Sequence, residues 1–196
     1  MFKRLSLAVA MSTVAAVPAF AHLDPLEHGS IAAGLSHPLF GADHVLAMVA
    51  VGLWAAQIAT DPNRRQALWL VPAAFVAMMV LGFGLAVAGA PLPFVEPAIL
   101  ASVMGLGLLV ALAVRVPVAA SAAVVGIFAL FHGYAHGGEL GSAAALQFGL
   151  GFAVATAFLH LIGVGLGMRT ARLAPAIGRF AGAATALAGL SLAFGG

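Results

Sequence analysis

The chain has no cysteine and very little charge. Without a thiol there is no disulfide, no thiolate metal ligand and no cysteine-held iron–sulfur cluster. Asp, Glu, Lys and Arg together make up 7% of the residues, where a soluble domain carries about 25%. So few charges cannot clothe a water-facing surface, which leaves the integral membrane class. A phosphate-cradling glycine loop of the GxxxxGK type is also missing, so the chain does not hydrolyse a nucleotide itself. An isoelectric point near 9.9 would suggest nucleic acid in a soluble protein. Here it reflects a handful of arginines against few acids, and their placement matters more than their sum.

What is present is apolar: 63% of the 196 residues are hydrophobic, with a mean hydropathy of +1.13. Residues 1–21 read as a secretory signal. Lys3 and Arg4 begin it, "LSLAVAMSTVAAV" forms its apolar stretch, and the small-residue triplet "AFA" closes it at Ala21. Residues 22–196 then form one transmembrane domain. Six stretches are long enough to span a bilayer at about 20 residues each, near 31–59, 67–89, 94–114, 117–135, 142–168 and 173–194. The fold expected is all-α and polytopic: six transmembrane helices after a cleaved signal peptide.

A removed signal puts the mature N-terminus outside, in the periplasm of a bacterial inner membrane. Loops after spans one, three and five should then be cytoplasmic and hold the basic residues. Arg64 and Arg65, Arg115, and Arg169 with Arg172 fall in those loops, and Arg179 lies on the same side. Asp24, Glu27, Glu96 and Glu139 map to the outer side. Glycine occurs 24 times, often in patterns such as "FGLGF" and "GVGLG". Close helix packing in lipid accounts for these, and Trp54, Trp69 and most phenylalanines read as anchors or packing.

The polar groups do not scatter. The seven histidines lie in the outer tail or inside spans one, four and five. An ionisable group at mid-bilayer costs about 2.5–3.5 kcal/mol on insertion scales, so such groups persist where a partner or a pathway compensates them. His37 and His44 share a helix face two turns apart, Asp43 flanks His44, and Met48 follows one turn later. Pro38 and Gly41 between the histidines should break the helix or delay its start, freeing backbone carbonyls as further ligands. In span four, "FHGYAHGGE" puts His132, His136 and Glu139 on one face. The two ladders run antiparallel and both begin near the outer surface. If the helices are neighbours, His44 lies near His132, and His37 near His136 or Glu139. Such nitrogen and oxygen donors suit nickel, cobalt, zinc or copper rather than magnesium or calcium. His160, with Thr156 one turn before it, either continues the path inward or bonds a neighbouring helix. His22, once it is the mature N-terminus, offers an amine and an imidazole together, and His28 adds a ligand nearby; a merely solvated tail is the competing reading.

At "HPLFGADHVLAMVAVGLWA" and "FHGYAHGGE" the sequence resembles the HupE/UreJ family of nickel and cobalt permeases. The first pattern is carried by His37, Pro38, Gly41, Asp43, His44, Met48 and Gly52, the second by His132, Gly133, His136, Gly137 and Glu139. The resemblance extends over nearly the whole chain. It implies a permease and no enzyme, with Ni²⁺ or Co²⁺ as transported substrate and no prosthetic group. Lipid and the metal ion are the partners implied, with no nucleic acid and no nucleotide. Two other classes compete. An intramembrane metal-dependent hydrolase also uses His and Asp on facing helices, although no "HExxH" occurs here. A b-type haem protein would pair histidines from different helices.

Overall fold

The computed structural model describes residues 30–137 and 142–194. The expected signal peptide at 1–21, His22, His28 and Glu139 lie outside the described residues. Within them there are seven α-helices, one 3-10 turn and no strand. The helices are α1 (Ile31–Phe40), α2 (Ala42–Ile58), α3 (Ala67–Val87), α4 (Val95–Ala111), α5 (Val118–Gly137), α6 (Ser142–Leu173) and α7 (Pro175–Phe194), with the 3-10 turn at Pro62–Arg64.

α3, α5, α6 and α7 are long and apolar enough to cross a membrane, and α1 with α2 makes a fifth crossing if the bent pair counts as one. Two of the six expected spans therefore depart from a simple rod. The first is bent by 83° between Phe40 and Ala42. Pro38, in the last turn of α1, has no N–H to give, and Gly41 caps both helices in an extended conformation. The third, α4, has 17 residues, about 25 Å of helix against a hydrocarbon core of about 30 Å. It stops because Ala113 turns into the left-handed region at φ 51°.

A short helix leaves its last carbonyls at a depth where water is scarce, and they must find donors in the protein. The end of α4 finds two: Gln57 Nε2 donates to Val110 O (3.1 Å) and Arg179 Nε to Ala111 O (2.8 Å). The segment after it finds two more, Trp54 Nε1 donating to Val114 O (2.8 Å) and Arg64 Nη1 to Val116 O (3.1 Å). The Arg179 guanidinium is also favoured by the negative end of the helix dipole. Trp54 is thus a buried core residue and not an interfacial anchor, whereas Trp69 stays exposed.

Helices pair intimately as α3 with α5, α2 with α6, α4 with α7, and α1 with α6. Small residues permit this. A methyl group on Gly82 would collide with the Leu130 carbonyl of α5, and one on Gly133 with the Met79 carbonyl of α3. In lipid there is no hydrophobic gain from helix association, so this dispersion contact is a main source of cohesion. Gly84, on the same helix as Gly82, faces open space. Gly82→Ala should therefore destabilise the purified protein by about 1–3 kcal/mol through overpacking. Gly84→Ala should leave its thermal midpoint unchanged or slightly raised. Equal midpoints for the two variants in one detergent would remove the close-packing account.

Candidate metal path

The break at Gly41 decides where the polar groups go. Bending there turns the end of α1 and the start of α2 toward one place, so that His37, in the last turn of α1, and Asp43, in the first turn of α2, share it. A carboxylate in the first turn is favoured by the positive end of the helix dipole. Gly41 is needed for space as well. A Cβ on it would come 2.8 Å from His44 Nδ1 and 3.0 Å from Asp43 Oδ1. Those two atoms are themselves 2.9 Å apart.

The bonding assigns the protons. His44 Nδ1–H donates to the Asp43 carboxylate, so His44 Nε2 carries a lone pair. His44 Nε2 lies 2.7 Å from His136 Nε2, which therefore donates to it. Ser102 O–H donates to the Ile99 carbonyl at 2.6 Å, and having one proton it accepts from His132 Nε2–H at 2.7 Å. His132 Nδ1 is then a lone pair with no partner among the described residues. A carboxylate behind a histidine that offers its far nitrogen is the usual support of a metal-binding imidazole.

Four imidazoles from three helices, α1, α2 and α5, come together. The His37 ring lies 4.3 Å from that of His136 and 6.0 Å from that of His44, and the His44 ring lies 5.2 Å from that of His132. α2 and α5 make few backbone contacts, so these side chains are what join them. Burial rises along the series. His37 and Asp43 are half-buried, His44 and His136 are buried, and His132 has no exposed surface. Among the described residues no three His, Asp or Glu side chains are disposed to hold one ion as they stand. Nitrogens that share an ion at about 2.1 Å sit about 3 Å apart. The His44–His136 pair is near that spacing, with a shared proton where an ion would be.

The other expected residues divide. Met48 is fully buried in the apolar core one turn beyond His44. His160 is 1% exposed and bonds no neighbouring helix: neither ring nitrogen has a partner among the described residues. Its ring lies 4.9 Å from that of Phe75, which in turn lies 5.8 Å from His132. Sequence reasoning passed over four residues that shape the site: Ser102, Phe75, Phe148 and Phe152. Phe152 walls the cluster, 5.1 Å from His136 and 6.0 Å from His44. Phe148 stacks on it at 5.9 Å. The signal was there, since Phe148, Phe152, Thr156 and His160 recur every fourth residue along one face of α6.

Asp43→Asn keeps the shape but weakens the acceptor that orients His44, so metal affinity should drop by about 10–100-fold. Gly41→Val should do the same by displacing the pair, with the helical content retained. Calorimetric titration of the purified variants with Ni²⁺ checks both; wild-type affinity in Gly41→Val would show that the space above the pair is immaterial.

Residues 9–192 match the family model described as HupE / UreJ protein. The chain is 45% identical over 183 residues to Protein HupE of Rhizobium leguminosarum bv. viciae, covering 92% of this chain and 93% of that protein. No solved structure matches.

Proposed function

Since the chain belongs to the HupE/UreJ family, we propose that it is a permease that carries a divalent transition metal, nickel or cobalt, from the periplasm to the cytoplasm across the bacterial inner membrane. The observation that carries this reading is the file of imidazoles fronted by Asp43, which leads from half-buried His37 to fully buried His132. A divalent ion must give up water to cross hydrocarbon, and ligands of similar strength have to replace it. Several sites in series let it bind firmly enough to enter and loosely enough to leave. His37 and Asp43 meet the ion first. His44 and His136 then take it as the proton they share shifts to the open Nδ1 of His136, and the open Nδ1 of His132 receives the ion further in.

The expected topology fits this direction. The signal at residues 1–21 is removed, α1 and α2 act as one broken crossing, and α4 acts as a short one, making six. The arginine-bearing loops then face the cytoplasm. An inside-negative potential favours a divalent cation by about 4.6 kcal/mol per 100 mV, twice the value for a single charge. Transport needs no nucleotide on this account. A serial file with several nitrogen donors also suits passage better than the hydrolase alternative, which needs a single ion with an open ligand position.

Cells producing the chain should take up labelled nickel or cobalt, and Asp43→Ala or His44→Ala should abolish uptake at unchanged membrane levels. Near-normal uptake by both variants would sink the path. Glu139 and the tail residues His22 and His28 are assigned to gathering the ion at the outer mouth. Glu139→Gln, or His22→Ala combined with His28→Ala, should raise the metal concentration needed for half-maximal uptake while sparing the maximal rate. A collapse at saturating metal would move Glu139 into the path itself.

A further inference from the structure

Among the described residues, His160 is the most anomalous buried group. It is 1% exposed, yet neither imidazole nitrogen has a hydrogen-bond partner among the described residues. A buried histidine with a structural role would be tied to a neighbouring helix, since an unpaired buried polar group costs the full loss of its hydration. An apolar residue of the same size would serve packing better.

Its position is informative. A Cβ on Gly52 of α2 would press against the His160 carbonyl, so the two residues lie at one level. Gly52 is eight residues beyond His44, about 12 Å further along the helix. His160 therefore sits about two turns inward of the outer cluster. Phe75 is a neighbour of both the His132 and the His160 rings. One turn outward from His160 on the same face of α6, the buried Thr156 hydroxyl donates to the Met79 thioether at 3.5 Å. A nitrogen, an oxygen and a sulfur donor thus occur within one helical turn, at a depth where every other neighbour named here is apolar.

We propose that His160, with Thr156 and Met79, is a second metal station, inward of the His37–His132 file, with Phe75 packed beside both. It rests on the permease reading above. The donor set is softer than the outer one, which favours borderline ions such as Ni²⁺ and Co²⁺ and gives no foothold to Mg²⁺ or Ca²⁺. The empty lone pair is then explained, because the partner it lacks is the cargo, while the other nitrogen keeps the ring's proton. The two helical turns between His44 and the level of His160 let an ion at the first and an ion at the second be held at once, and arrival of one helps expel the other.

The test is calorimetric titration of the purified full chain with Ni²⁺, set beside Ni²⁺ uptake into proteoliposomes. Wild type should bind two equivalents. His160→Leu should bind one, with the remaining affinity within about twofold of wild type and maximal uptake lowered about tenfold or more. Its thermal midpoint should hold or rise, because an unpaired polar group is gone, so the lost flux is not a folding defect. If His160→Leu is poorly recovered, His160→Gln, which also lacks the imidazole, should show the same two losses. One equivalent in wild type, or uptake in either variant within about twofold of wild type, overturns the second station and leaves the permease reading standing. A wild type that binds no Ni²⁺ and carries none overturns both.

Discussion

The hydrogen bond from His44 Nδ1 to Asp43 sets the terms for the rest of the site. It turns His44 so that Nε2 is the exposed lone pair, and that lone pair fixes the proton on His136. Without the carboxylate, either nitrogen of His44 could carry the proton, and the contact with His136 would have no defined sense. The bond also explains the local sequence. Gly41 is small because the pair occupies the space over it, and Pro38 helps end α1 before that space is filled. The bend then presents the first turn of α2, whose dipole supports the carboxylate.

Around this polar file the molecule is built by close approach. Backbones touch at Gly82 and Gly133, and again at Gly52 and Gly163. The same contacts set the level of the polar residues, because α6 is held against α2 at Gly52, beside His160. Packing and chemistry are therefore one arrangement seen twice. The stacked rings of Phe83, Phe148 and Phe152 close the remaining side of the cluster with apolar surface. That surface keeps lipid and water from competing for the imidazoles, and it strengthens each hydrogen bond by lowering the local dielectric.

Much of this was legible in the residues alone. The all-α class follows from apolar runs, and the break near Pro38 and Gly41 follows from missing donors and a missing side chain. The meeting of His44 with His132 and of His37 with His136 follows from two antiparallel ladders of similar length. What was not legible depends on which helix lies beside which. Hydropathy does not reveal that Ser102 of α4 would sit against His132, nor that α4 would be short, with Gln57 and Arg179 donating to its last carbonyls and Trp54 and Arg64 to the segment after it. Phe75 read as ordinary packing because its place beside two rings from other helices depends on the fold. His160 left two readings open, and only its surroundings show that no partner satisfies it among the described residues. Met48, placed in the motif beside His44, lies in the apolar core, since one further helical turn carries it out of the polar cluster.

The donors that satisfy α4 have an electrical consequence. Arg179 holds the end of that helix and Arg64 the turn after it, far from the histidine cluster; Arg64 is paired with Asp61, so Arg179 leaves fixed positive charge at one end of the molecule and the Asp43 carboxylate stands at the other. On the proposed path, a cation approaching along the axis would meet attraction at one mouth and repulsion at the opposite one. Fixed charge of this kind cannot alter the final distribution of an ion between two compartments, because that depends only on concentrations and voltage. It does make the two barriers unequal in height and position. The molecule is in this sense polarised like a rectifying junction, and its asymmetry is structural, present before any ion, proton or voltage acts on it.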